Sequence, residues 1–344
     1  MDGDSTLPMP RKRRVLANST EVARLAGVSI AAVSRAYTPG SSISPELAER
    51  VYAAARELNY VPNKLARSLI TRQTNIVALM LPTTSSSIFA AMLDEVSLRL
   101  EEQGQQVLLF TPSHLGDFDR TLQHMLQYQV DAIVIAAASI SSQMATLCLD
   151  RGVPVVTLGR YLPGLPVHSV RGDEQDAGAQ AAELVLKGGG KRFGIVDGPA
   201  NLTTIVERKE TLLAHLEAAI GPDAIRIADG DLSYAGGYRA GLALMDTPRR
   251  PDTLIGLTDI MALGAMDAVR FELGLKVPQD VAIVGFDDIA EAGHMSYQLS
   301  TVRTPVKEMT AHMLELISAR SEPAAPRAIK IPAQLIVRAS TRPV

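Results

Sequence analysis

Residues 21–36 read EVARLAGVSIAAVSRA, and this stretch sets the organisation of the N-terminal part of the chain. Its first six residues have helical spacing, with Ser19 or Thr20 as the expected N-cap and the following glycine as the expected stop signal. After the glycine-containing turn, Ser29 can cap a second helix over residues 30–36. Two short helices joined in this way predict a helix-turn-helix.

A third helix is expected over residues 45–58. Ser44-Pro45-Glu46 is a strong helix start, because proline suits the first helical position. Apolar residues of this helix are spaced to cover the first two helices, at Val51, Ala54, Ala55 and Leu58. We therefore predict an all-α headpiece over residues 19–60, preceded by a disordered basic tail over residues 1–18.

From Asn75 onward, short apolar runs alternate with helical stretches. The runs form two sets of four: 76–81, 107–110, 132–136 and 155–158, then 193–196, 225–228, 254–257 and 281–285. Most of these runs are continuously apolar, as expected for a parallel strand covered on both faces. Helical segments lie between them, for example residues 92–102, 177–186 and 261–273. The pattern predicts two doubly wound α/β subdomains, with a crevice at the carboxyl ends of the strands.

Charge and cysteine content narrow the class of protein. Residues 1–75 hold 11 basic and 6 acidic residues, a net charge of +5, whereas the remainder holds 23 and 31, a net charge of −8. A basic end on an acidic body suggests that this end meets a polyanion. The single cysteine, Cys148, excludes a disulfide framework and a cysteine-based metal site. We expect no secretory signal and no membrane span, and hence a cytoplasmic protein.

Several motifs resemble the lactose/galactose repressor family. They stand at residues 22–29 and 33–35, then 57–63, 198–199, 259, 262–265, 285–288 and 338–341. The resemblance covers roughly residues 19–342 and keeps the order and spacing of the family. It implies a bacterial transcription regulator, usually a repressor, that is associated with the nucleoid and whose binding to double-stranded operator DNA is altered by a small effector.

The family also implies an architecture resembling that of the periplasmic binding proteins. The core, residues 74–344, would divide into one subdomain of residues 74–173 plus 303–331 and another of residues 174–302 plus 332–344. A palindromic operator requires a two-fold homodimer. We expect the interface around residues 92–99 and 258–267, and we expect no cofactor and no metal.

The resemblance and the helix-turn-helix geometry together indicate the DNA-reading residues. A recognition helix enters the major groove by its N-terminal residues. The candidates are Ser29, Ile30, Ala31, Ser34 and Arg35. Arg35 could donate two hydrogen bonds to a guanine, whereas Ile30 and Ala31 can touch only a thymine methyl group. The alternative is that Arg35 merely lies on a solvated helix face.

A linker over residues 61–73 resembles the hinge helix of the family. Asn63 can cap this helix, which is too short to be stable alone in water. In the family the helix orders in the minor groove beside that of the dimer mate, which implies DNA contacts for Asn63, Ala66 and Leu69. Leu69 would wedge between base pairs and kink the duplex. The alternative is a small core contact between Leu65 and Leu69.

The resemblance places a ligand in the crevice. The residues that it implies are Ser85, Ser86, Phe89, Arg160, Tyr161, Arg208, Leu232, Thr258 and Asp287. Arg208 would be a bidentate donor and Asp287 an acceptor, for a sugar or a sugar acid. Arg160 and Arg208 together slightly favour the anionic ligand. Leu232, Thr258 and Thr304 depart from the usual residues of the family, and the alternatives are an interdomain salt bridge for Arg208 and a core position for Phe89.

Two other classes of protein have similar architecture. An α/β enzyme is disfavoured, because residues 188–191 lack the flanking residues of a phosphate-binding loop and no dinucleotide fingerprint follows the first strand. A pure small-molecule binding protein has the same two-lobed fold. The helix-turn-helix and the lack of a signal peptide argue against it.

Overall fold

The computed structural model describes residues 17–38, 40–62, 73–82, 86–112, 118–136, 140–162, 164–319 and 325–343. The chain divides into two compact units, residues 1–74 and residues 75–344. The predicted hinge residues Asn63, Ala66 and Leu69, and the predicted ligand residue Ser85, lie outside the described residues.

The first unit is the predicted three-helix headpiece. It contains α1 (Ser19–Ala26), α2 (Ile30–Ala36) and α3 (Pro45–Glu57). Small apolar side chains from all three helices form its core: Val22, Ala23, Ala26, Val33, Ala36, Val51, Ala54 and Ala55. Because all of these side chains are alanine or valine, the helices can approach closely around a very small core.

The start of α1 differs from the prediction. Asn18, and not Ser19 or Thr20, is the N-cap: its side chain accepts hydrogen bonds from the backbone N–H groups of Thr20 and Glu21. The Glu21 carboxylate accepts one from the Asn18 N–H in return, which completes a capping box. At the other end, the predicted stop at Gly27 has the left-handed conformation expected of a C-terminal glycine, with φ of 64°.

The second unit alternates strands and helices. In chain order it contains β1 (Ile76–Met80), α4 (Ser87–Glu102), β2 (Gln106–Phe110), α5 (Phe118–Gln127), β3 (Ala132–Ala136), α6 (Ser142–Asp150), β4 (Val155–Leu158), β5 (His168–Gly172), α7 (Glu174–Lys187), β6 (Phe193–Asp197), α8 (Thr203–Ile220), β7 (Ile225–Asp229), α9 (Tyr234–Met245), β8 (Thr253–Gly256), α10 (Asp259–Asp267), β9 (Ala282–Asp287), β10 (Ser300–Arg303), α11 (Val306–Ser318), β11 (Ala328–Ile331) and β12 (Gln334–Ile336). A π-helical turn, Ala268–Glu272, follows α10, and short 3-10 turns lie at Pro222–Ala224 and Ala290–Gly293.

The strands form two six-stranded sheets. The first has the order β11-β5-β4-β3-β1-β2 and is entirely parallel, and the second has the order β12-β10-β9-β8-β6-β7, with only β12 antiparallel. The chain passes between them after β5, after β10 and after β11. Each sheet is therefore the centre of one α/β subdomain, and the crossings join the two.

Both faces of the first sheet are covered, as its apolar runs predict. Along β1, Val77 and Leu79 point into one apolar cluster, and Ala78 and Met80 point into the cluster on the opposite face. The edge strands are different: β2 and β7 are only partly buried. The apolar run in β2 therefore does not mean coverage on both faces, and β7 carries Arg226 within its run.

The prediction of four strands for each sheet was wrong. The additional strands are β5, β10, β11 and β12, which lie next to the crossings. They carry polar or charged residues, so no continuous apolar run marks them. Their short length is sufficient because each is paired to a neighbouring strand by backbone hydrogen bonds.

Part of the predicted dimer interface is also inconsistent with the structure. In α10 every residue except Ile260 is buried within the chain itself, so this helix cannot offer a face to a partner. Met92, in the other predicted segment, is likewise buried in the first subdomain. Among the described residues, no helix combines the length and the apolar character needed to cross a bilayer.

Candidate functional site

The exposed side of α2 carries the residues predicted to read DNA. Ala32, Val33 and Ala36 point into the headpiece. The opposite, exposed side consists of Ser29, Ile30, Ala31, Ser34 and Arg35. Ile30 is 51% exposed although it is apolar. These side chains add nothing to the headpiece core, and they form one continuous surface because residues one helical turn apart share a face.

Side-chain hydrogen bonds hold α2 at both of its ends. Ser29 Oγ accepts a hydrogen bond of 3.1 Å from the Ala32 N–H at its start. Tyr52 of α3 donates a hydrogen bond of 2.5 Å to the Ala36 carbonyl at its end. Arg50 of α3 donates to the Ala26 carbonyl over 2.6 Å, which fixes the turn before α2. The exposed side of α2 therefore has a defined orientation within the headpiece.

In the second unit, the predicted ligand residues lie where strands end or helices begin. Arg160 and Tyr161 follow β4, Thr258 follows β8, Asp287 ends β9, Leu232 precedes α9, Arg208 lies in the first half of α8, and Ser86 and Phe89 stand at the start of α4. Carboxyl ends of parallel strands are where doubly wound folds bind their ligands. The structure brings Arg208 and Asp287 into direct contact.

Arg208 is the centre of a buried polar cluster. Its Nε donates to Glu174 Oε2 over 2.5 Å, and its Nη2 lies 3.0 Å from Asp287 Oδ1. Its Nη1 donates to the Leu257 carbonyl over 3.0 Å, and the guanidinium carbon lies 5.1 Å from the centre of the Phe286 ring. Most of the donor capacity of Arg208 is therefore used within its own chain.

Thr304 joins this cluster from the second crossing between the sheets. Its hydroxyl donates to Asp287 Oδ1 over 3.1 Å and accepts a long hydrogen bond of 3.4 Å from Arg208 Nη2. Glu174 stands directly after the first crossing, at the start of α7. We call Glu174, Arg208, Asp287 and Thr304 the arginine cluster. It links two of the three crossings to the end of β9.

Charge and burial act in opposite directions on the ionisable groups of the arginine cluster. Burial disfavours the charged form of Arg208, but the carboxylates of Glu174 and Asp287 outweigh burial and raise its pKa. Burial raises the pKa of Asp287, and the nearby Arg208 guanidinium only partly opposes this. The cluster thus consists of one cation with two carboxyl groups, one of which is a weaker acid than usual.

The turn that carries Asp287 has an unusual backbone. Asp287 has φ of 114° and Asp288 has φ of 56°, both positive and therefore strained for residues other than glycine. Asp288 accepts hydrogen bonds from Arg338 Nη2 over 2.6 Å and from Arg303 Nε over 2.7 Å. The two arginines hold the Asp288 side chain away from Asp287, so the adjacent aspartates have separate roles.

Asp259 is completely buried behind this turn. It accepts hydrogen bonds from Thr301 Oγ1 over 2.6 Å and from the Ile289 N–H over 2.9 Å. Burial raises its pKa well above the usual value, and the Asp287 carboxylate adds to that effect. A Cβ on Gly285 would come within 2.2 Å of Asp259 Oδ1, so only glycine fits there. Asp259 thus supports the Asp287 turn from within the core.

Polar contacts between described residues join the two subdomains across the crevice. Ser87 Oγ donates to Glu291 Oε1 over 2.7 Å, and Arg160 Nη2 donates to the Asn201 carbonyl over 2.8 Å. Arg171 in β5 pairs with Glu207 in α8 over 2.5 Å. In addition, Ile88 packs against the cores of both subdomains.

The predicted platform residues differ in their surroundings. Phe89 is partly buried against the core of the first subdomain, which corresponds to the alternative of a core position. Tyr161 is 38% exposed, and the Arg171 guanidinium lies 5.6 Å from its ring centre. Leu232 packs on the second subdomain core beside Gly198. Tyr161 is thus the more available ring of the two.

Sequence reasoning missed several residues of this region. Glu174 carried no signal, since an acidic residue in the first turn is an ordinary feature of a helix start. Glu291 and the Arg171–Glu207 pair were also missed, because only the tertiary structure brings their partners together. The Oγ1 atom of Thr258 and the Oε2 atom of Glu291 are buried without a hydrogen-bond partner among the described residues. Unpartnered buried polar atoms of this kind call for a ligand or water.

Two family models match the chain. The model for bacterial regulatory proteins of the lacI family matches residues 20–63. The model for a periplasmic binding protein-like domain matches residues 181–341. The first match spans the headpiece, and the second spans most of the subdomain that carries the arginine cluster.

Known proteins resemble the chain over nearly its whole length. The HTH-type transcriptional regulator CelR of Thermobifida fusca is 32% identical over 346 residues, which cover 96% of this chain and 100% of that protein. A solved CelR–cellobiose complex is 28% identical, with a TM-score of 0.67 over 94% of this chain and 99% of that chain. The lac repressor dimer bound to operator and an anti-inducer has a TM-score of 0.83 at 24% identity, over 95% of this chain and 99% of that chain, a likeness of fold.

Proposed function

Because the chain belongs to the lacI family of bacterial regulatory proteins, and is thus a DNA-binding transcriptional regulator, we propose that it represses its target genes as a homodimer on a palindromic operator. We further propose that a sugar bound in the crevice between its α/β subdomains changes its affinity for the operator. The observation that carries the proposal is the exposed side of α2, a surface of a small, well-capped helix with no role in the headpiece core.

The proposed reading of DNA uses the exposed side of α2. In the major groove, Arg35 would donate two hydrogen bonds to the O6 and N7 atoms of a guanine. Ile30 and Ala31 would contact thymine methyl groups, and Ser29 and Ser34 would donate to phosphates or base edges. No ion pair within the described part of the chain involves the Arg35 guanidinium, so DNA binding would break no such pair.

The minor-groove contacts of Asn63, Ala66 and Leu69 remain a prediction from the family resemblance. If Leu69 wedges between base pairs, Leu69→Ala should weaken operator binding much more than binding to unrelated DNA. Equal losses on both DNAs would contradict the wedge.

Exposed apolar side chains support a homodimer. Leu98 and Leu109 of the first subdomain are 53% and 38% exposed, and Phe271 and Met295 of the second are 79% and 89% exposed. A contiguous surface patch formed by such side chains is typical of an interface. We propose that the dimer buries residues of this set, in place of α10.

The crevice supports a sugar as the effector. It offers the carboxylate of Asp287, the hydroxyl of Thr304 and the exposed ring of Tyr161 with the Arg171 guanidinium beside it, which suits a polyhydroxyl ligand with one apolar face. The relative CelR has been solved as a cellobiose complex. We propose that the effector contacts Asp287, Arg160, Tyr161 and Thr258, with Arg208 orienting Asp287.

Selection from a random DNA library with the full-length protein tests the operator proposal. The enriched sequences should be palindromic, with half-sites about one helical turn apart. Arg35→Ala should lose about 1–3 kcal/mol of operator binding and relax the preference at one base of each half-site. Arg249→Ala, a change of the same charge in the second unit, is the control. No enrichment would refute DNA recognition and favour a pure ligand-binding protein.

A thermal-shift screen with sugars tests the effector proposal. A ligand at a hundred times its dissociation constant should add about 2.7 kcal/mol to the free energy of unfolding. The sugar that gives the shift should also change the affinity for the selected operator. A sugar that raises the melting temperature but leaves DNA binding unchanged would separate the crevice from regulation.

A further inference from the structure

The arginine cluster bears on which ligand charge the crevice accepts. A guanidinium that recognises an anionic ligand must keep donors free for it. In Arg208, Nε is taken by Glu174, Nη2 by Asp287 and Thr304, and one Nη1 hydrogen by the Leu257 carbonyl. One Nη1 hydrogen is then left, and one face of the guanidinium is covered by Phe286.

The arginine cluster also carries no net positive charge that could attract an anionic ligand. With Glu174 and Asp287 both ionised, the cluster carries one negative charge, and with Asp287 protonated it is neutral. The side chains of Glu174 and Arg208 are only 4% and 6% exposed, so solvent screens these charges weakly. An incoming carboxylate or phosphate would therefore lie beside at least one buried carboxylate without a free cation to balance it.

The other arginines at the crevice do not change this balance. Arg171 is paired with Glu207, and its side chain is 8% exposed. Arg160 is buried, which lowers its pKa, and it donates to a backbone carbonyl. On the opposite side, Ser87 donates to Oε1 of Glu291, and its Oε2 is buried with no hydrogen-bond partner among the described residues. That atom would accept a hydrogen bond from a ligand hydroxyl and repel an anion.

We propose that Glu174 determines the specificity of the crevice: by occupying Arg208 it makes the site select neutral sugars and reject sugar acids and sugar phosphates. This inference rests on the proposed effector function and goes beyond it by assigning the charge class and the residue responsible. It is the opposite of the sequence-based expectation that Arg160 and Arg208 favour an anionic ligand. Hydroxyl groups of the ligand would donate to the remaining oxygen atoms of Asp287 and Glu291.

Matched ligand pairs test the inference by isothermal titration calorimetry on the full-length protein. The pairs are glucose with glucuronate, galactose with galacturonate, and cellobiose with cellobionate, together with glucose 6-phosphate. For each scaffold that binds, the neutral member should bind at least about tenfold more tightly than its anionic counterpart, as expected for a like charge at a buried carboxylate.

The variant Glu174→Gln tests the role of the residue itself. Glutamine has the same shape and can still accept from Arg208 Nε, but it leaves the guanidinium charge balanced by Asp287 alone. The ratio of neutral to anionic affinity should fall by at least about tenfold. Glu183→Gln makes the same charge change at an exposed position of α7 and should leave the ratio unchanged. Thermal melts establish that both variants are folded, and the wild-type ratio remains a test if Glu174→Gln is not.

The outcomes separate this inference from the proposed function. A wild-type preference for the anionic member, or equal affinities, would overturn the inference and leave the sugar site standing. An unchanged ratio in folded Glu174→Gln would overturn the role of Glu174. Binding of no member of the panel, neutral or anionic, would contradict the sugar site and the inference with it.

Discussion

Glu174 and Arg208 form an ion pair of 2.5 Å although they lie on different helices and both side chains are almost completely buried. Glu174 follows the first crossing between the subdomains, and Arg208 reaches from α8 to Asp287 at the end of β9. The desolvation of two charges largely offsets their attraction, so a buried ion pair adds little net stability. Removal of one partner is strongly destabilising, because it leaves the other charge buried and unpaired. The pair therefore fixes the geometry of the crevice and makes the fold depend on it.

Arg208→Ala should destabilise the second unit strongly. Without the guanidinium, Glu174 and Asp287 remain buried as unpaired carboxylates, and the free energy of unfolding should fall by about 3–5 kcal/mol at pH 8. The loss should be smaller at pH 5, because burial raises the pKa of Asp287 and Arg208 no longer opposes this, so that carboxyl group is then protonated in the folded variant. Urea unfolding at several pH values measures this.

Arg239→Ala is the matched control for that variant. Arg239 lies on α9 and pairs with Asp231, but both side chains are largely exposed, so little stability should be lost at any pH. A loss for Arg208→Ala that does not depend on pH would mean that the carboxylates find water or another partner.

The strands could be predicted from the sequence where a continuous apolar run marks them. Strand β3 is a continuous apolar run between helices, and its burial on both faces follows from that. Strand β5 could not be found in this way, because it reads His-Ser-Val-Arg-Gly, and its arginine is buried only because Glu207 meets it from the other subdomain. Such strands depend on pairing with their neighbours, which no local pattern encodes.

The candidate site, too, could be predicted from the sequence only in part. Arg208 and Asp287 could be named from the family resemblance, and the structure places them in contact. The charge of the crevice could not be read from the sequence, since counting Arg160 and Arg208 as free cations ignores the carboxylate beside Arg208. Glu174 looks like an ordinary first-turn acidic residue until α7 and α8 pack together.

Arg338→Ala should loosen the turn that carries Asp287, because Arg338, near the C-terminal end of the chain, anchors this turn through Asp288. Arg338 donates to Asp288 Oδ1 and to the Leu299 carbonyl, and it thereby holds two neighbouring positive-φ residues in place. Losing a hydrogen bond to a charged group should cost about 1.5–3 kcal/mol of stability. Effector affinity should also fall, which calorimetry can measure.

Arg342→Ala is the comparison for Arg338→Ala, because Arg342 contacts Asp252 and not the crevice. It should leave effector affinity unchanged. If Arg338→Ala lost stability but kept full affinity, the turn would not depend on its C-terminal clamp.

Asp259→Asn should change how stability depends on pH. A buried carboxyl group with a raised pKa binds its proton more tightly in the folded state than in the unfolded state. Its contribution is therefore greatest below the unfolded pKa of about 3.9 and is lost as the pH rises toward the raised value. Asparagine does not titrate, and Thr301 Oγ1 can turn from donor to acceptor.

Urea unfolding of wild type and Asp259→Asn at pH 5 and pH 8 provides the measurement. The variant should gain stability relative to wild type as the pH rises. Asp150→Asn changes an exposed aspartate, the last residue of α6, and should show no such trend. Parallel curves for Asp259→Asn and wild type would show that Asp259 remains ionised throughout this range.

Glu207→Gln should weaken effector binding without a direct contact to the effector. The Arg171–Glu207 pair joins β5 of the first subdomain to α8 of the second, so it favours the arrangement in which the crevice is closed. Losing the charge should cost about 1 kcal/mol, or about a fivefold loss of affinity, since the pair is only partly exposed. Glu210→Gln, on the same helix but exposed, should bind the effector like wild type. Tighter binding by Glu207→Gln would mean that the pair resists the closure that the effector requires, and calorimetry on the two variants distinguishes these cases.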